Sequence, residues 1–91
     1  MALTKETVVD KIEVLEMGEV QVRTATRVKE DGAVLSSSFH RHVVEPSTKT
    51  GDTWADTDIS GEDARVQAIA TATWTSDVKT AYQAMMDANE L

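Results

Sequence analysis

His40 and His42 are the two histidines of the chain, and they stand two positions apart in a segment that alternates as a β-strand. Side chains at that spacing point the same way, so two imidazoles could be presented to one metal ion, or shared around a threefold axis. Their neighbours argue against ligation. An unslipped hairpin places them opposite Arg23 and Gln21, with Arg27 further along that face. A permanent cation beside the site disfavours both a metal and an imidazolium. His40 and His42 are therefore read as solvated or partner-contacting groups on the polar face of a sheet, and no metal is expected.

Carboxylates are the other candidates for chemistry. Glu13, Glu16 and Glu19 gather near one turn, and Asp56, Asp58, Glu62 and Asp63 crowd a later loop. General acid–base work needs a cleft that separates their pKa values, and a calcium loop needs a spacing of oxygens that Asp52, Asp56 and Asp58 lack. They read as a solvated acidic surface. Cysteine is absent, which removes thiol catalysis, thiolate metal sites and disulfides. No catalytic residue and no cofactor is expected, and the chain is read as a non-enzyme.

Arg23, Arg27, Lys29 and Arg41 make the sheet locally basic in a protein of net charge −7. Cross-strand pairing explains some of them, and contact with an acidic patch on a neighbour is the alternative. Nucleic acid is not an expected partner, because the overall charge is acidic and no aromatic residues interleave with the cations. Trp54 is either a lid folded over the sheet or an anchor for a partner. The candidate partner-binding set is thus Arg23, Arg27, His40, His42 and Trp54.

The elements that carry these residues follow from periodicity. Val8, Asp10, Ile12 and Val14 share one face of a first strand, and Val20, Val22, Thr24, Thr26 and Val28 one face of a second. Leu35, Ser37, Phe39, Arg41 and Val43 do so on a third. Asp31-Gly32 is a two-residue hairpin signal that pairs Val28 with Leu35, Thr24 with Phe39 and Val20 with Val43. A three-residue loop, Glu16-Met17-Gly18 with Gly18 left-handed, pairs Val14 with Val20 and Ile12 with Val22. A two-residue loop there would turn the apolar set outward.

Residues 45–60 lack clear periodicity and read as a polar connection, a place where function or partner contact often resides. Beyond it, Ser60 with Asp63 suggests a helix start. Val66, Ile69, Ala70 and Thr73 form one stripe, and a second helix begins at Thr75 or Ser76 with Asp77 in its first turn. Val78, Ala81, Tyr82 and Met85 continue with helical spacing, and Trp74 sits at the joint. The expected fold is α+β in a single domain. A three-stranded antiparallel β-meander (7–44) leads through a polar loop (45–60) to two helices packed on the sheet (61–90).

Val, Ile, Leu and Phe make up only 19 of 91 residues, close to the composition at which charged chains stay unfolded. Backbone ordering costs about 1–2 kcal/mol per residue, so surface buried against other chains is the expected supplement, in a homo-oligomer or larger assembly. Apolar runs never exceed a few residues, and neither a membrane span nor a signal-peptide hydrophobic segment is expected.

The segments MALTKETVVDKIEVLE, QVRTATRVKEDG followed by FHRHVVEP, and GEDARVQAIATATWTSDVKTAYQA resemble a group of small proteins encoded by tailed, often marine, bacteriophages among tail and structural genes. The resemblance covers roughly residues 3–45 and 60–84. The group has no established activity, so no site residue transfers from it. The connection containing KTGDTWAD is longer than the group's shorter proline- and aspartate-containing one. What the resemblance implies is a virion structural or accessory protein, made in the host cytoplasm. It would be an adaptor or decoration subunit of the tail, baseplate or fibre apparatus, docking to larger phage structural proteins. The alternative is a free phage protein that binds and modulates a host protein.

Overall fold

The computed structural model describes residues 2–89. Its main body is an antiparallel sheet of order β1-β2-β3, formed by β1 (Leu3–Val14), β2 (Val20–Glu30) and β3 (Ala33–Val44). A hairpin of β4 (Ser47–Thr50) and β5 (Thr53–Asp56) follows, then α1 (Ala64–Thr73) and α2 (Ser76–Ala88). The α+β architecture with a three-stranded meander is the expected one.

Both turns of the meander have the expected geometry. The Leu15 amide donates to the Glu19 carbonyl at 2.8 Å, enclosing Glu16-Met17-Gly18, and Gly18 has φ +93°. Val14 then pairs with Val20 and Ile12 with Val22. At the other turn Asp31 and Gly32 both have positive φ, 51° and 87°, as a type I′ turn requires.

Two β-bulges overturn the expected faces. In β1 the register shifts between Val9 and Lys11, leaving Asp10 as the extra residue. Val9, instead of Val8, therefore joins Ile12 against the core. In β3 the shift falls beside Val28 and Lys29, where Leu35 is extra. Val28 faces Ser36, Thr24 faces His40 and Val20 faces Val44, in place of Leu35, Phe39 and Val43. One inserted residue exchanges the two faces of everything beyond it.

The connection read as featureless contains the β4–β5 hairpin, turning at Gly51-Asp52 with Gly51 at φ +63°. The first helix is capped by Asp63, whose carboxylate accepts the Arg65 amide, so Ser60 lies outside it. Thr75 caps α2 as expected, accepting the Val78 amide through its hydroxyl. Glu90, the end of the expected helical part, lies outside the described residues.

The core is small and sits at one end. Val20, Val22, Val44, Val66, Ala70 and Trp74 are its buried members, with Val9, Ile12, Ile59 and Val78 packed against them. α1 lies against β2, while α2 lies against β4. No residue between Thr26 and Ser38 belongs to this cluster, so the far half of the sheet projects as a blade. The molecule measures 56 × 27 × 22 Å with a radius of gyration of 17.0 Å, where a compact chain of this length would have about 12 Å.

Candidate docking surface

The blade presents a face with no helix on it, and the register assigns its residues in rows. Lys11, Arg23 and Arg41 lie directly opposite one another across the three strands. Val8, Ala25 and Phe39 make the next row, then Glu6, Arg27 and Ser37. Ala25 is buried while Phe39 is 50% exposed, its ring lying 4.6 Å from the Arg23 guanidinium carbon. This cation–π contact helps to fix the position of the arginine on the sheet.

The bulge at Asp10 has an electrostatic function. It brings the Asp10 carboxylate against Arg23 in a two-point contact, Nε to Oδ1 at 2.9 Å and Nη2 to Oδ2 at 2.8 Å. Hydrogen bonding from Arg23 holds the Asp10 pKa below the ordinary carboxylate value, and the Arg23 pKa is raised in return. Glu6 bridges Arg27 at 2.8 Å and Lys29 at 3.1 Å, and these donors lower its pKa as well. Lys11 pairs with Glu13 at 3.1 Å. Arg41 has no hydrogen-bond or ion-pair partner among the described residues and stands opposite another cation. A depression of about 140 Å³ beside it, lined in part by Lys11, Arg23, Arg41 and Val43, is smaller than the cavities that enclose organic ligands.

The candidate residues are not brought together. Arg23 and Arg27 lie on the uncovered face. The bulge at Leu35 puts His40 and His42 on the other side, opposite Thr24 and Val22 and not opposite Arg23 and Gln21. There His42 Nε2 meets Glu62 Oε1 at 2.7 Å, tying β3 to the segment before α1, and the His40 ring stacks on His42 at 6.3 Å. Among the described residues no cluster of three or more His, Cys, Asp or Glu side chains is placed to hold a metal ion.

Trp54 does not fold over the sheet. It is half-buried on β5 and meets Tyr82 of α2 edge-on, with centroids 6.1 Å apart. Its indole N–H donates to Asp87 Oδ2 at 3.4 Å, and Lys49 Nζ lies 5.6 Å from the ring centroid. A cleft of about 350 Å³ borders this cluster between the hairpin and α2. The ion pairs Lys49–Asp87 at 3.0 Å and Lys79–Asp56 at 2.9 Å tie the same two elements together.

Three residues outside the candidate set matter to these positions. Arg41 is the cation of the uncovered face left without a partner among the described residues, Asp10 makes the bulge, and Glu62 receives His42. The like charges of Arg23 and Arg41 on adjacent strands could have drawn attention to Arg41. Asp10, an acidic residue amid β-branched neighbours, could have suggested a bulge.

Fold and surface together define a small α+β protein with an uncovered, partly apolar, cation-bearing sheet face. No family model, curated protein or solved structure matches the chain. No helix of the described residues is long and apolar enough to cross a membrane.

Proposed function

We propose that this chain is a non-enzymatic structural subunit of a tailed-phage virion, an adaptor or decoration that docks a larger structural protein through the uncovered face of its β-blade. The observation that carries this reading is that face itself: Val34, Phe39 and Val43 are each at least 50% exposed, and Arg41 stands among them without a partner among the described residues. An exposed aromatic flanked by arginines is the composition of an interface centre. The unpaired cation calls for an acidic group on the partner. His40, His42 and Trp54 then serve the chain's own packing, while Arg23, Arg27, Phe39 and Arg41 meet the partner.

Purified particles test the proposal. The subunit is expected at fixed stoichiometry in virions and at a strongly reduced level when Phe39→Asp or Arg41→Glu replaces the native chain. Either variant should retain the native circular dichroism spectrum. Absence of the wild-type chain from particles, together with its recovery on a host protein, would replace this reading with that of a host modulator.

A further inference from the structure

The two edges of the sheet are guarded unequally. β1 carries Lys5, Glu6, Asp10, Lys11 and Glu13, and the bulge at Asp10 interrupts it midway. Charged side chains, lysine above all, and bulges are the devices that keep an edge from pairing with another strand. β3 reads AVLSSSFHRHVV, with Arg41 its one permanent charge and with no lysine, proline or carboxylate. Its bulge falls at Leu35, close to the turn, and leaves Ser36–Val44 regular. Ten of its twelve residues are exposed, so an extended row of backbone groups faces outward with little to deter pairing.

We infer that β3 pairs antiparallel with β3 of a second copy about a twofold axis, making one continuous six-stranded sheet. The inference rests on the reading of the sheet as a docking element and names one of its partners. The sequence of the edge is complementary to itself. Within the regular Ser36–Val44 run the register centred on His40 gives the longest overlap, and both it and the register centred on Phe39 keep Arg41 away from its symmetry mate. Centred on His40, Arg41 faces Phe39 of the other copy and Ser38 faces His42. Centred on Phe39, the two rings meet and Arg41 faces Ser37. Opposed arginines require a centre at Arg41 itself, which shortens the overlap to Ser38–Val44 and sets like charges directly opposite. The small Ser36-Ser37-Ser38 run lets the backbones approach. Pairing of β3 with β3 also closes the assembly, because the edges left outermost are the two guarded β1 strands. Pairing of β3 with β1 would instead propagate without limit.

Light scattering behind a sizing column tests this on the purified full chain. An edge interface is small, so the measurement extends to roughly 1 mM chain, where a Kd as weak as about 1 mM still populates dimer. The expected species is a concentration-dependent dimer of twice the 9.9 kDa chain mass, with alternate amides of Ser36–Val44 exchanging more slowly as dimer forms. Ser38→Lys places like charges near the axis at an exposed position, and should weaken the dimer about tenfold or more. Thr7→Lys on the β1 edge should leave it intact. A monomer throughout the range overturns the inference. So does a dimer that resists Ser38→Lys or yields to Thr7→Lys, or growth into open-ended species. None of these results depends on whether the chain is found in virions.

Discussion

Gly18 is where the fold is most exposed to a single methyl group. Its φ of +93° lies in the left-handed region, and a Cβ built there would stand 2.6 Å from Val78 Cγ1 and 3.2 Å from Pro46 Cγ. The same residue's carbonyl accepts the buried Trp74 indole N–H at 2.7 Å. The turn between β1 and β2, the Pro46 bend and the joint between the helices all meet at this residue. Gly18→Ala should therefore lose stability twice, about 1–2 kcal/mol for left-handed backbone and about 1–3 kcal/mol for overpacking.

Two other glycines separate these contributions. Gly32 has φ +87° but nothing within 4 Å of its Cβ position, so Gly32→Ala should lose only the backbone part, about 1–2 kcal/mol. Gly61 has neither positive φ nor a neighbour within 4 Å, so Gly61→Ala should be neutral or up to about 1 kcal/mol stabilising through the unfolded chain. Urea unfolding followed by Trp fluorescence reads all three. With a slope near 1 kcal/mol per molar for a chain this small, Gly18→Ala should lower the midpoint by about 2 M or more. If Gly18→Ala is no worse than Gly32→Ala, the packing of Val78 and Pro46 around the turn is not as argued.

Trp74→Phe should cost about 1–3 kcal/mol by leaving the buried Gly18 carbonyl without its donor, read by the same unfolding experiment. Tyr82 is the single tyrosine of the chain, and burial first, then the nearby Glu45 charge, pushes its pKa up to about 12. Absorbance at phenolate wavelengths should stay flat past pH 10, and the associated stability should be full below the unfolded value near 10 and fade as pH rises toward about 12. A transition near pH 10 in the folded protein would contradict the burial of its hydroxyl. Glu6 and Asp10 have lowered pKa values because they accept hydrogen bonds from Arg27 and Arg23. Their contribution is present above the unfolded carboxylate range near 4 and is lost as pH falls through the lower folded values. Asp10→Asn should flatten that acid limb, and an unchanged limb would count against the pairing. Arg41→Ser should leave stability equal or slightly raised, since it relieves the opposed Arg23, and a large loss would reveal an intramolecular partner for Arg41.

Local signals carried well from sequence to fold, and long-range register did not. Gly18, Asp31-Gly32 and Thr75 each need a particular backbone or cap, so their types announce turns and a helix start at the correct places. The bulges have no comparable signature. Pairing β3 without one aligned Leu35, Phe39 and Val43 with the apolar side of β2, which made the wrong register look self-consistent. What decides the true register is Val44 entering the core opposite Val20, together with the His42–Glu62 contact, and both depend on helices more than twenty residues later in sequence or on the segment leading to them. The polar Ser36-Ser37-Ser38 run offers no penalty to either choice. The β4–β5 hairpin was equally hidden, because Gly51-Asp52 is a hairpin turn between strands of only four residues, the first of them wholly polar and the second with Trp54 as its one large apolar group.

The apolar side chains on the uncovered face therefore call for a different explanation from those in the core. Val20, Val22 and Val44 are held in place by α1 and the helix joint as members of the buried cluster. Phe39, Val34 and Val43 occupy a region where no element among the described residues covers them, and Phe39 contributes to the monomer chiefly by shielding Ala25 and seating Arg23. Fully burying a side chain of this size is worth about 1.5–3 kcal/mol, and each is half exposed, so about half of that per residue awaits any surface that covers them. With so small a core, that gain is a substantial fraction of what folding alone provides. The blade is thus under-used by the isolated chain in two respects, its uncovered face and its β3 edge. The two proposed contacts are compatible, because the face and the edge of a sheet are perpendicular and do not compete.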